Sequence, residues 1–124
     1  MASFYQNQAP NQNIADSLSL FETCINARLN DEPLKDTQAF RLFNGFYEGI
    51  PGWIVDRFAQ TLLIKNFARQ PQTLEGLMQP TIDFYKKNIP EINAVVLKTR
   101  HAKQENQRVG QILEGQPDQE IIEN

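Results

Sequence analysis

The sequence has one cysteine and one histidine among its 124 residues, and this scarcity excludes several kinds of site. A lone cysteine cannot form an intrachain disulfide, and no set of cysteines is available to hold structural zinc. Cys24 lies on the apolar side of a predicted helix, which favours a buried packing role over a reactive thiolate. His101 has no second histidine or cysteine at ligand spacing, so we expect a surface histidine and no metal site.

Long apolar runs and an excess of basic residues are also missing. No run approaches the roughly 20 residues that a membrane helix needs, and the polar N-terminus has no apolar segment of a secretory signal. We therefore expect a cytoplasmic protein with no membrane partner. The formal net charge is -3, so affinity for nucleic acid would have to come from a local patch or from a partner domain.

The composition, 40% hydrophobic and 22% charged, fits one compact domain with a modest core. Residues 1–13 are rich in Gln and Asn and predict a mobile N-terminal tail. Residues 14–113 predict a single α+β domain. Residues 114–124 carry four carboxylates and no base, and they predict an acidic linker.

Apolar residues at spacings of three and four predict two helices. The first begins after Asn13, a good N-cap residue, and runs to about Asn30, before Pro33. The second covers about residues 72–88. Pro80 lies inside it and removes a backbone donor, so we expect a kink or a break into two short helices.

Alternating apolar residues predict a small, mainly antiparallel sheet of about five strands, over residues 39–44, 53–58, 61–67, 93–99 and 108–114. In the first strand, Phe40 and Leu42 should lie on one face and Arg41 and Phe43 on the other. The second and third strands form a hairpin, although Ala59-Gln60 lacks the glycine of a primed turn. The second helix should cover the sheet, and the first should pack at one edge.

Four residues, Gly45, Gly49, Pro51 and Gly52, predict a constrained loop, and not a helix, between the first two strands. The loop could hold the strands at a fixed angle or present nearby charges to a ligand, and the residue types favour the structural role. Asp56 follows in the next strand. It could accept from loop backbone groups or from an arginine, and an internal ion pair or loop clamp is favoured.

The stretch from Arg41 to Phe58, Arg-Leu-Phe-Asn-Gly-Phe-Tyr-Glu-Gly-Ile-Pro-Gly-Trp-Ile-Val-Asp-Arg-Phe, resembles the signature of class I S-adenosylmethionine-dependent methyltransferases of large-subunit ribosomal RNA. The likeness runs from about Ala15 to the C-terminus. It implies a small α/β domain preceding the methyltransferase domain, here an RNA-positioning or scaffold domain without the catalytic domain. Two departures are Phe58-Ala59-Gln60, where the family usually has Tyr-Gly-Asp, and His101, where it usually has an acidic residue.

A basic segment lies between the last two predicted strands. Four cations, Lys98, Arg100, Lys103 and Arg108, stand against Glu105, which gives a local charge of about +3. From the residues alone, this segment is equally a phosphate contact or a solvated loop, and the resemblance favours RNA. The predicted RNA-binding residues are Arg41, Arg57, Lys98, Arg100 and Lys103.

The sequence lacks the glycine-rich strand, turn and helix that a methyltransferase cofactor needs, because a strand follows the glycines at 45, 49 and 52. We expect no catalytic residue, no cofactor binding and no turnover from these 124 residues. The resemblance implies S-adenosylmethionine for the longer enzyme, with ribosomal RNA and a C-terminal methyltransferase domain as partners. A homodimer is left open. The alternative is a stand-alone, non-enzymatic protein-interaction module of the same fold.

Overall fold

The computed structural model describes residues 13–29 and 39–116. The predicted tail at 1–13 falls almost wholly outside these residues, as does most of the acidic linker at 114–124. In chain order the helices and strands are α1 (Ile14–Leu29), β1 (Ala39–Asn44), α2 (Gly45–Glu48), β2 (Trp53–Phe58), β3 (Thr61–Asn66), α3 (Met78–Asn88), β4 (Ala94–Thr99), α4 (Glu105–Val109) and β5 (Gln111–Glu114).

The five strands form one sheet in the order β1-β2-β3-β4-β5. Three of the four neighbouring pairs are antiparallel, and β3 and β4 are parallel. The parallel pair arises because the chain returns through α3 before it enters β4, a crossover that parallel strands require. The predicted α+β class, with a mainly antiparallel sheet, is confirmed.

The main core lies between one face of the sheet and the helices α1 and α3. Phe21 from α1 meets Phe43 from β1 edge to face, with 4.9 Å between ring centroids, and also contacts Tyr85 of α3. Burial of each such side chain contributes about 1.5–3 kcal/mol. This packing holds α1 beside β1, the edge strand, as the sequence predicted.

The start of α1 also follows the sequence. The Asn13 side chain accepts a hydrogen bond from the Asp16 amide at 3.0 Å, which satisfies one of the free donors at the helix N-terminus. Within residues 13–29 and 39–116, no helix has the length and apolarity to cross a membrane.

Two predictions about the first strand and the loop after it were wrong in detail. The loop contains one turn of helix, α2, where none was expected. The register of β1 shifts between Arg41 and Phe43, so the predicted alternation breaks. As a result Leu42 and Phe43 are both fully buried, while Arg41 stays exposed.

The later elements differ at their boundaries. The segment predicted as a helix at 72–88 begins with two 3₁₀ turns, Pro71–Thr73 and Glu75–Leu77, and becomes α-helical only at Met78. Pro80 then lies in the first turn of α3, where its missing N–H costs no helical hydrogen bond. The predicted last strand at 108–114 is shorter, because the helix α4 takes up residues 105–109.

Candidate nucleic-acid interface

The face of the sheet opposite α1 and α3 carries a row of charged side chains that crosses four strands. Asp56 of β2 lies between two cations: its carboxylate accepts from Arg41 Nε at 2.7 Å and lies 3.0 Å from Lys65 Nζ. A second bond joins Arg41 Nη2 to Asp56 at 3.2 Å, which makes the pair bidentate. The hydrogen bond to Asp56 raises the pKa of Arg41, against the opposing effect of partial burial. Asp56 therefore neutralises one end of this row.

Lys98 of β4 pairs directly with Lys65 of β3 in the parallel register. Partial burial lowers the pKa of Lys98, and the charge of Lys65 lowers it further. Within residues 13–29 and 39–116, Lys98 has no ion-pair partner. Burial and Lys65 thus both disfavour the charged form of Lys98, and an anion bound beside Lys98 would favour it.

A shallow depression of about 540 Å³ opens beside Lys98. We call it the basic depression, and its lining consists of Lys65, Phe67, Lys98, Arg100 and Arg108. No carboxylate belongs to this lining. The guanidinium of Arg100 lies 5.3 Å from the centre of the Phe67 ring, at cation–π distance, which orients its donors.

Arg108 enters the basic depression from α4, and its position is fixed by backbone contacts. Its Nη1 donates to the carbonyls of Ala102 at 2.8 Å and Lys103 at 3.1 Å. These bonds tie the turn after β4 to the following helix. Four cations line this depression, and Asp56 offsets only Lys65 among them, so the local charge is positive although the whole chain is at -3. Such a site suits phosphate oxygens, which arginine binds through paired donors.

The location of the basic depression follows from the sheet topology. Lys65 and Lys98 lie at the carboxyl ends of the two parallel strands. In open sheets with parallel strands, ligands bind outside these ends. The loop between β1 and β2 lies at the same end of the sheet, because Trp53 pairs with Asn66.

The five residues predicted to bind RNA do not form one cluster. Lys98 and Arg100 lie together in the basic depression, whereas Arg41 lies on the same face but is paired with Asp56. Lys103 lines a different cavity, on the helix side of the sheet. Arg57 donates to the Ala59 carbonyl at 2.8 Å, and it lies at the hairpin end of β2. Four residue steps separate it from Trp53, about 13 Å at 3.3 Å per residue.

Three residues of the basic depression, Lys65, Phe67 and Arg108, were not predicted as RNA-binding residues, although Arg108 was counted in the basic segment. A two-residue hairpin pairs Phe58 with Thr61, and this register then pairs Ile54 with Lys65. Strand alternation puts Ile54 and Asp56 on one face, so the sequence contained the signal that places Lys65 beside Asp56. Phe67 follows the strand end, and no periodicity indicated its contact with Arg100.

The predicted structural loop is held by contacts of its own backbone. A Cβ atom on Gly45 would lie 1.8 Å from the Ile50 carbonyl oxygen, so only glycine fits. Gly49 and Gly52 have φ values of 115° and 98°, which other residues rarely adopt. Gly52 is also close to the backbone of Ala68. Pro51 lies exposed between these contacts.

Side-chain hydrogen bonds also hold the loop between β1 and β2. The Asn44 side chain accepts from the Phe46 amide at 3.1 Å, and the Glu48 carboxylate accepts from the Asn44 amide at 2.7 Å. The Cys24 thiol donates to the other Glu48 oxygen at 3.0 Å. Cys24 is therefore buried in a polar contact that ties α1 to the loop. The loop presents Phe46 and Tyr47 to solvent, Tyr47 being 87% exposed.

The described residues include one parallel strand pair, where a glycine-rich turn for a cofactor of the S-adenosylmethionine type would be sought. The crossover from β3 to β4 is the parallel unit within the described part, and its first turn, residues 67–70, contains no glycine. The described residues also contain no group of three or more potential metal ligands.

The geometry thus defines a five-stranded α+β domain with a basic depression at the carboxyl ends of its parallel strands. No family model matches the sequence, and no curated protein matches it. Solved structures do share the fold.

One similar structure is SMU.776, a candidate methyltransferase in complex with SAH. It aligns over 91% of this chain with a TM-score of 0.65 and 20% identity. A second, a candidate SAM-dependent methyltransferase from Streptococcus mutans, aligns over 90% with a TM-score of 0.61 and 21% identity. The chain spans 27% of the length of each. These likenesses relate the chain by fold to a part of such methyltransferases.

Proposed function

We propose that this chain is the RNA-positioning domain of a SAM-dependent methyltransferase that acts on large-subunit ribosomal RNA. In this role the domain holds RNA by its phosphates, while a C-terminal methyltransferase domain carries the cofactor and the chemistry. The fold shared with part of two candidate methyltransferases supports the relationship. The resemblance of residues 41–58 supports the choice of RNA substrate.

The observation that carries the RNA role is the basic depression. Its four cations lie on one exposed face, and Lys98 is charged against the combined effect of burial and Lys65. A cation that the fold does not neutralise is more readily explained by a bound anion than by stability. Because the chain as a whole is acidic, the electrostatic attraction for a phosphate backbone is strongest at this depression.

Removal of two charges from the basic depression tests this role. We expect the double variant Lys98→Gln/Arg100→Gln to bind a short fluorescent single-stranded RNA about tenfold more weakly at low salt. The slope of log K against log salt should become shallower by about 1.4, since each lost phosphate contact removes about 0.7. Fluorescence anisotropy at several salt concentrations measures both quantities. For the unaltered chain we expect a dissociation constant no better than about 10⁻⁴ to 10⁻⁶ M at physiological salt.

The matched control is Arg57→Gln/Lys87→Gln, which removes the same charge at the far end of β2 and on the exposed side of α3. It should leave the salt slope nearly unchanged. The Lys98→Gln/Arg100→Gln variant should lose little thermal stability, because the folded protein lowers the pKa of Lys98 and loss of that charge offsets loss of the exposed Arg100–Phe67 contact. A lowered pKa means that the charge destabilises the fold at neutral pH, and this cost disappears only as the pH rises toward 10.5.

Equal losses in both double variants would show that only net charge matters, and the depression would not be the site. Unchanged binding in both would show that RNA affinity does not arise from these cations. Absence of RNA binding by the unaltered chain would favour the protein-interaction module, with the exposed Phe46 and Tyr47 as its contact surface.

The second prediction concerns the cofactor. We expect residues 1–124 alone not to bind S-adenosylmethionine, because the crossover turn lacks the glycines that let a backbone approach such a ligand. Isothermal titration calorimetry is the direct measurement. One site per chain with a micromolar dissociation constant would contradict this prediction and would require a pocket of another kind.

A further inference from the structure

A cavity of about 400 Å³ lies at the same end of the sheet as the basic depression, but on the side of the helices. Its volume lies within the range of about 300–1,000 Å³ that is usual for small-ligand pockets. Its lining includes Trp53, Asn66, Thr99, His101, Lys103 and Gln107. They come from the ends of β2, β3 and β4 and from the segment through α4.

The inner wall of this cavity is fixed and partly apolar. Trp53 is 1% exposed, and its Nε1 donates to Thr81 Oγ1 at 3.1 Å. Asn66 donates to the Pro71 carbonyl at 2.9 Å and accepts from the Ala68 amide at 3.3 Å. These polar groups are already hydrogen-bonded within the protein, so they hold the Trp53 ring and the Asn66 side chain in fixed positions.

The outer wall carries polar side chains with unused hydrogen-bonding capacity. His101, Lys103 and Gln107 make no side-chain hydrogen bond or ion pair to any described residue. An imidazole, an ammonium and a carboxamide together offer both donors and acceptors. The cavity therefore combines a firm apolar wall with polar groups near its mouth, which suits a flat ring that has hydrogen-bonding edges.

The cavity and the basic depression meet at the end of β4. Lys98 and Arg100 line the depression, and the residues that alternate with them, Thr99 and His101, line the cavity. The same division occurs in α4, where Arg108 lines the depression and Gln107 the cavity. A chain of nucleotides crossing this end of the sheet meets cations on one side and the cavity on the other.

We propose that the cavity binds an unpaired nucleobase of RNA whose neighbouring phosphates lie in the basic depression. This inference rests on the proposed RNA role and specifies it, since the domain would then select single-stranded RNA. Recognition of RNA by splayed-out bases in protein pockets is the usual mode for single strands, because a duplex hides its base edges.

Trp53 gives a direct readout, because it is the single tryptophan of the chain. The chain is titrated with a labelled single-stranded RNA and with a ribose-phosphate oligomer of equal length that lacks bases. Anisotropy of the label reports binding, and Trp53 emission reports occupation of the cavity. We expect the RNA to change both signals. The oligomer without bases should bind about tenfold more weakly and should leave Trp53 emission unchanged.

A pair of glutamine variants supplies the control. Gln107→Leu keeps the approximate size of the side chain and removes its amide from the cavity, so its affinity for RNA should fall toward that of the oligomer without bases. Gln104→Leu makes the same exchange at an exposed position outside the lining and should have no effect.

The outcomes separate this inference from the proposed function. Normal RNA binding with unchanged Trp53 emission, and equal affinity for the oligomer without bases, would overturn the nucleobase site and leave phosphate binding intact. If neither the RNA nor the oligomer without bases binds, the RNA role itself is overturned, and the nucleobase site with it.

Discussion

Gly45→Ala is expected to lose about 3 kcal/mol or more of unfolding free energy, a large part of the stability of a domain of this size. The added methyl group would lie 1.8 Å from the Ile50 carbonyl oxygen and 2.6 Å from that of Trp53. Both are backbone atoms, so no side-chain rotation relieves the overlap. The Gly45 carbonyl also accepts from the amides of Gly49 and Ile50, so any shift breaks these bonds. Urea unfolding followed by circular dichroism measures the loss.

Gly76→Ala is the matched control, because nothing lies within 4 Å of a Cβ atom at that position. Its φ is not positive, so alanine should be neutral or stabilise by about 0.4–1 kcal/mol through the unfolded state. If the two variants had equal stability, the loop between β1 and β2 would be adaptable, and its structural role would be refuted.

Asp56→Asn should lower stability and raise RNA affinity in the same molecule. The substitution leaves Arg41 and Lys65 without their shared carboxylate, and loss of the charge-assisted bonds costs about 1–2 kcal/mol. The same change frees Lys65, which lies beside Lys98, and Arg41, which lies further along the same face of the sheet. RNA binding should tighten several-fold at low salt, with a salt slope steeper by about 0.7 for each new phosphate contact.

Asp83→Asn makes the same change in charge on the exposed side of α3, where the carboxylate contacts only Gln79 at 2.9 Å among the described residues. The pair should be compared by thermal unfolding and by RNA anisotropy. Opposite signs for stability and affinity at Asp56, with little change at Asp83, are expected. Weaker RNA binding in Asp56→Asn would show that the row of charges across the sheet does not face RNA.

The fold was largely predictable because its elements have strong local patterns. β4, the run Ala94 to Thr99, is continuously apolar for four residues, as expected of a strand with neighbours on both sides. The helix α2 was missed because a single turn has no periodicity to detect. The register shift in β1 was missed because Arg41, Leu42 and Phe43 also fit regular alternation, and only packing of both apolar side chains favours the bulge.

The candidate site was less predictable, for a different physical reason. Local charge counting identified Lys98 and Arg100, which are only two residues apart in sequence. Charge counting could not show that Arg57 and Lys103 lie away from Lys98 and Arg100. Their positions depend on which face of the sheet and which end of the strand each side chain occupies. Nor could charge counting show that Arg41 is neutralised, since Arg41 and Asp56 are 15 residues apart.

The hairpin between β2 and β3 offers a practical use. Its turn residues, Ala59 and Gln60, are exposed and lie at the opposite end of the sheet from the basic depression. The Gln60 carbonyl accepts from the Asn93 amide at 2.9 Å, and the two side chains are bonded at 3.0 Å. A dye attached at position 59 would therefore sit on an anchored turn. Energy transfer from such a dye to a labelled RNA end would report the direction in which the strand crosses the sheet.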